Sequence, residues 1–372
     1  MITKIHVWDI IELAFTGRDV FQNPYTEADF SVRFVSQTGE QYTAPCFWDG
    51  DNVWKVRFAP PAPGLWHWES FSESEKGGFS GRRGKFEAVE YQGENPVFRH
   101  GFLKVNSNGR GFVHADDTPF FWTGDTVWAA TSKASLDEWK EYIEFRSSQG
   151  FNVVQMNVLP QYDASGIESR SPFAADEDGQ WDMYRIDPEY FRCLDEMMAV
   201  TRNAGMYTAL VVVWYTYVEK IYEPEARPSK KARFDKKTIK LFARYLAARY
   251  AAFGAVWIVS GDSNYNAEKE EISVYHTAAE TIKDAVSHYP LITAHLSGNT
   301  STPEGINQAE WLDFHMYQSG HCTDGPAISV RYAEKDRALR PIRPVINAEP
   351  CYEGIGYIEG TRRVDQADII GL

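Results

Sequence analysis

Two apolar runs in this chain end on a carboxylate. Ala255-Val-Trp-Ile-Val-Ser-Gly-Asp-Ser-Asn264 stops at Gly261 and delivers Asp262, then Asn264. Arg343-Pro-Val-Ile-Asn-Ala-Glu349 delivers Glu349 just ahead of Pro350. Two carboxyl groups facing each other, one protonated and one ionised, can cut a glycosidic bond. The first gives its proton to the leaving oxygen, and the second attacks the anomeric carbon or activates water. On this reading Asp262 is the general acid/base and Glu349 the nucleophile. The bland alternative for Asp262 is an Asx-turn that caps the next helix. Glu349 is harder to explain that way, because an acid closing a near-continuous apolar run needs a reason to be there.

Other strand-like runs also end in polar or aromatic clusters. One ends in Asp125 with Trp128 behind it, one carries Gln155 and Asn157 ahead of Gln161 and Tyr162, and one ends in Trp214. The later ones give His295, then His315, Tyr317 and Gln318 with His321 close behind, and finally Tyr352 and Glu353 beyond Glu349. Asp125, Trp128, Gln155, Asn157, Trp214, Asn264, His295, His315, Tyr317, Gln318 and Tyr352 are therefore the candidate sugar contacts. Asp125 reads equally well as a helix cap, and Trp214 as plain packing. The histidines lack the HxxxH spacing of a helix-borne metal site, so neither a metal nor a cofactor is expected.

Such ends share one face only if the strands are parallel and joined by helices. From residue 96 onward the pattern fits. Candidate strands cover 120–124, 152–158, 207–214, 256–261, 291–295, 314–317 and 344–348. Helical patterns cover 135–149, 188–205, 236–250 and 270–287. Solid apolar strands alternating with helices indicate a parallel sheet covered on both faces. The expected fold class is α/β: a (β/α)8 TIM barrel over residues 96–372, lacking its last strand in this chain, since only 24 residues follow Ala348. Residues 1–95 read as a small antiparallel β-sandwich, with short alternating runs split by Gly and Pro turns. Trp48, Trp54, Trp66 and Trp68 pack that unit's core or form a sugar platform; packing is the stronger reading.

Bulk properties narrow the partners. The formal net charge of −14 argues against nucleic acid and anionic membranes. No run approaches the roughly 20 apolar residues of a membrane helix. Cys46, Cys193, Cys322 and Cys351 are scattered, with no CxxC pair, and read as reduced thiols. The first residues carry no apolar signal core. The expectation is a cytoplasmic protein whose partner is an oligosaccharide. A non-catalytic carbohydrate-binding protein on a degraded or truncated barrel is the alternative.

Phe121-Trp-Thr-Gly-Asp-Thr-Val-Trp128, Ile258-Val-Ser-Gly-Asp-Ser-Asn264 and Val345-Ile-Asn-Ala-Glu-Pro-Cys-Tyr-Glu353 resemble motifs of apiosidase-like glycoside hydrolases. These are clan A-type barrels often preceded by a small β-sandwich domain of unknown function, which the first 95 residues also resemble. The resemblance implies a retaining mechanism with Asp262 as acid/base and Glu349 as nucleophile. It also implies a plant cell-wall-type oligosaccharide as substrate, with terminal apiose or another pentose. Wider clan members carry Asn-Glu where this chain has Gly261-Asp262, a departure that bears on the acid/base assignment.

Overall fold

The computed structural model describes residues 2–160, 171–218, 233–266, 269–286, 288, 290–321, 325–352 and 354. Gln161, Tyr162, Cys322, Glu353 and the last eighteen residues lie outside these.

Eight strands come first: β1 (Thr3–His6), β2 (Ile11–Thr16), β3 (Ser31–Ser36), β4 (Gln41–Pro45), β5 (Phe47–Trp48), β6 (Val53–Phe58), β7 (Gly64–Phe71) and β8 (Arg83–Val89). They form one sheet in the order β1-β8-β7-β3-β4 and another in the order β2-β6-β5. Apolar side chains from both sheets meet in one core, where Phe34 of β3 stacks on Phe58 of β6 at 4.3 Å. Trp54 and Trp66 lie fully inside this core, which is why they cannot form a sugar platform. The all-antiparallel expectation fails at β1, which runs parallel to β8. Between β1 and β2 the chain turns at Trp8, with φ 60°.

Seven parallel strands follow: β9 (Gly124–Thr126), β10 (Val153–Asn157), β11 (Tyr207–Val211), β12 (Val256–Ile258), β13 (Leu291–Thr293), β14 (His315–Tyr317) and β15 (Val345–Asn347). The first five form one sheet in chain order, and the last two pair with each other. Side-chain and loop hydrogen bonds join the two groups: Thr293 Oγ1 donates to the Phe314 carbonyl at 2.7 Å, and Asp313 N to the Ile292 carbonyl. The long helices between them are α1 (Leu136–Ser148), α2 (Pro188–Asn203), α3 (Lys236–Tyr250), α4 (Lys269–Ala285) and α5 (Gly325–Ala338). Ser135 and Glu138 form a capping box at α1, and Asp235 caps α3 with Thr238. Strands β10 to β13 are buried throughout, as a sheet covered on both faces must be.

The first parallel strand begins later than the sequence indicates. Phe120 belongs instead to a small antiparallel sheet of 103–105, 112–114 and 119–120. A groove of about 870 Å³ runs between β9 and β15, lined by Phe112, Phe121, Trp122, Val153, Val345 and Ile346 among others. The two sheet systems are joined by a buried charge cluster. Arg57 of β6 reaches Glu12 at 2.8 Å and Asp195 of α2 at 2.6 Å, and it donates to the Arg249 carbonyl. Arg249 of α3 is completely buried and binds Asp195 through two nitrogens, at 2.8 and 2.7 Å, with Asp49 at 2.9 Å. Such a cluster fixes geometry more than it adds stability.

Candidate active site

Residues just beyond β12 set the position of Asp262. A Cβ on Gly261 would lie 2.1 Å from the Trp214 ring, so only glycine lets that indole approach the loop so closely. Asp262 then adopts φ 52°, a left-handed conformation that Asp tolerates better than most residues. Ser263 anchors the turn by donating to the His295 carbonyl at 3.0 Å. The Asx-turn anticipated for this stretch does form, but on Asn264, whose side-chain oxygen accepts from Asn266 N. Asp262 is thereby left free to face the cluster.

Glu349 follows β15. Its carboxylate takes His295 Nε2 at 3.2 Å on one oxygen and His321 Nε2 at 3.2 Å on the other, and it is also hydrogen-bonded to the Tyr352 hydroxyl. The backbone N–H of Asp262 donates to His295 Nδ1 at 3.2 Å. As the acceptor of that bond Nδ1 leaves the ring hydrogen on Nε2, which lies 3.2 Å from Glu349. One imidazole thus ties the Asp262 turn to the other acid. Carboxylate oxygens of Asp262 and Glu349 and a nitrogen of His295 all lie within 4.8 Å of one another.

The two acids differ in their ionisation. Burial pushes the Asp262 carboxyl up to about 6; the Glu349 charge adds to the rise, and His295 and Gln318 oppose it. Burial also works against a charge on Glu349. Hydrogen bonds from His295 and His321, with Tyr352 adding a third, outweigh it and hold that carboxyl down to about 2. Between those values one acid is protonated and its neighbour is ionised.

Aromatic and polar groups surround the pair. Trp128 lies 5.3 Å from Trp214 and meets His295 edge-on at 5.1 Å, and its indole N–H donates to the Tyr352 hydroxyl at 2.7 Å. Buried polar atoms without a hydrogen-bond partner among the described residues include the Asn157 amide, Trp214 Nε1, Gln318 Oε1 and His321 Nδ1. Buried polar atoms are ordinarily paired, so these mark places where hydroxyl groups could be met. Gln155 is buried, with its amide 3.4 Å from the Ala348 carbonyl. His315 opens β14, and burial pushes its imidazole down to about 4, so it is neutral.

Two expected contacts point elsewhere. The Asp125 carboxylate binds Tyr142 and Arg146 of α1, each at 2.6 Å, so its charge is spent on the helix. The Tyr317 hydroxyl pairs with Ser329 of α5 at 3.1 Å. Conversely, His321 is not among the candidate sugar contacts, and the sequence does not disclose that it holds Glu349. Its one sequence signal was its place in the loop after a strand end.

Asp262, His295 and Glu349 together offer the donor set of a divalent cation. An ion there would have to displace the three donors already on Glu349, so the residues fit a hydrogen-bonded acid pair better than a metal centre.

Solved structures share the fold of this chain. A candidate glycoside hydrolase from Bacteroides vulgatus matches with TM-score 0.73 at 22% identity, covering 96% of this chain and 66% of its own. A family 5 glycoside hydrolase from the same organism matches with TM-score 0.61 at 25% identity, covering 75% of this chain and 60% of its own. A third structure, a glycoside hydrolase, matches with TM-score 0.59 at 26% identity, covering 72% of this chain and 60% of its own. This chain thus spans less than two thirds of the length of each. A search of curated proteins gives no match. A domain of unknown function (DUF5060) matches residues 4–73. The apiosidase-like catalytic domain matches residues 106–369, more than half of the sequence, and the chain belongs to that family of glycoside hydrolases.

Proposed function

We propose that this protein hydrolyses a glycosidic bond with retention of configuration, Asp262 acting as acid/base and Glu349 as nucleophile. The observation that carries the proposal is the close acid pair with divided ionisation: about 6 for Asp262 and about 2 for Glu349. Retaining enzymes place their carboxyl groups about 5–5.5 Å apart, and inverting ones roughly 6.5–9.5 Å. Approach of the acids' oxygens to within 4.8 Å supports the first class. In the first step Asp262 protonates the leaving oxygen while Glu349 attacks the anomeric carbon. Asp262, now ionised, then takes a proton from the water that releases the sugar.

Seven parallel strands in chain order among the described residues support a (β/α)8-type barrel. The first 95 residues form a separate sandwich unit against it. The substrate is a plant cell-wall-type oligosaccharide with terminal apiose or another pentose, bound through Asn157, Trp214, Gln318 and the two histidines beside Glu349. We place the reaction in the cytoplasm, acting on short imported oligosaccharides. No helix among the described residues is long and apolar enough to cross a membrane.

A panel of aryl glycosides tests the assignment. Release of the aryl group by the wild type, its loss in Glu349→Gln, and an α or β product matching the starting anomer are the expected results. Hydrolysis that persists in Glu349→Gln overturns the nucleophile assignment. Sugar binding by calorimetry without turnover would instead favour a non-catalytic carbohydrate-binding protein.

A further inference from the structure

Trp128 is an obvious candidate for stacking on a sugar ring, yet its polar atom is committed to another task. The indole N–H donates to the Tyr352 hydroxyl at 2.7 Å, and the Thr126 hydroxyl reaches the same oxygen at 3.2 Å. An indole can only donate, so the phenol oxygen must accept from it. An ionised carboxylate can only accept, so the one proton of Tyr352 must go to Glu349, to which it is hydrogen-bonded. The direction of every bond in this chain is therefore forced. Burial, reinforced by the Glu349 charge, raises the phenol far above its ordinary range, so Tyr352 remains a donor at any working pH.

Thr126 closes β9 and Trp128 stands two residues beyond it, while Glu349 and Tyr352 follow β15. Those two strands share no backbone pairing. The relay crosses one of the two places in the strand order where, among the described residues, no ladder joins neighbouring strands. We propose that Trp128 and Thr126 are positioning residues for Glu349, acting through Tyr352. By occupying the phenol oxygen they direct its proton onto the carboxylate, and so fix where the nucleophile points and keep it ionised. The inference rests on the reading of Glu349 as nucleophile. The Trp128 ring serves the same end, since it packs edge-on against His295, whose Nε2 lies 3.2 Å from a Glu349 oxygen.

A double-mutant cycle tests it, with kcat and KM followed against pH on the best aryl glycoside. Tyr352→Phe removes a hydrogen bond to a charged group and should lower kcat about 10- to 100-fold, with the acid limb moving up by about one pH unit. Trp128→Phe keeps an aromatic ring but loses the N–H; about a 3- to 10-fold loss in kcat is expected, with the limb moving the same way. The double variant should be no worse than Tyr352→Phe, because the indole acts only through the phenol. A rise in KM for Trp128→Phe that multiplies with Tyr352→Phe would mean sugar stacking and would overturn the relay. Thr126→Val, nearly isosteric, should reproduce the Trp128→Phe shift on a smaller scale and serves if the tryptophan variant does not fold.

A second readout needs no turnover. In protein carrying carbon-13-labelled glutamate, the Glu349 carboxyl is identified by its loss in Glu349→Gln and titrated directly. Its pKa should rise in both Trp128→Phe and Thr126→Val. A shift without any hydrolysis would sink the glycosidase reading and leave the relay standing. Hydrolysis with an unmoved Glu349 would sink the relay alone.

Discussion

The acid/base carboxyl is balanced between burial, which favours its neutral form, and two neighbours that favour its charge, His295 and the Gln318 amide. Gln318 is buried beside Asp262 and is hydrogen-bonded to it, and it opposes the rise to about 6. Gln318→Leu keeps the volume and removes the donor. A hydrogen bond to a charged group contributes about 1.5–3 kcal/mol, or roughly one to two pKa units. A third of the Asp262 side chain is exposed, so solvent discounts this toward the lower figure. The sign is fixed by which form the amide stabilises. Without it the protonated acid persists to higher pH, and the alkaline limb of kcat/KM should move from near 6 to near 7. That limb reports the free enzyme. At pH 7 about a tenth of the wild type carries the required proton, against about half of the variant. The acid limb, set by Glu349, should stay where it is. A stopped assay on an aryl glycoside between pH 3 and 9 measures both limbs. An alkaline limb that stays fixed or moves down would refute the argument.

Other consequences follow from the same structure. Asp195→Ala leaves Arg57 and the fully buried Arg249 without their shared partner, so unfolding in urea should show a loss of about 3–5 kcal/mol. Replacing the whole cluster with apolar side chains should cost far less. Gly261→Ala puts a methyl group into the Trp214 ring; a stability loss of about 1–3 kcal/mol is expected, with a larger loss of kcat because Asp262 follows directly. Exhaustive chelation should leave hydrolysis unchanged, while added zinc should inhibit by competing for Asp262, His295 and Glu349. Activity that chelation removes and metal restores would refute the acid-pair mechanism.

Position along the chain was legible in the sequence wherever burial wrote a long apolar run, and the direction of individual side chains was not. Strands β10, β11, β12 and β13 lie where the periodicity put them, because a strand covered on both faces must be continuously apolar; β15 and helix α3 also lie in their expected places. Helix α5 escaped notice, since its outer positions are polar and it buries little beyond Ile328 and Asp336. Orientation depends on strand parity, and a shift of one residue reverses it. The first parallel strand was placed too early, so Asp125 and Thr126 could not be assigned to faces. One turns to α1 and the other toward Tyr352. Tyr317 and Gln318 divide in the same manner, one to Ser329 and the other to Asp262. Parity then fails where it matters most. Asn347 donates to Ser319 and Ser329, and in a regular strand Glu349, two residues on, would share its direction. The strand stops at Asn347, the chain turns, and the acid faces the histidines instead. A carboxylate at such an ending is worth suspecting because the regular pattern has given out there, and its partners come from loops that carry no period at all.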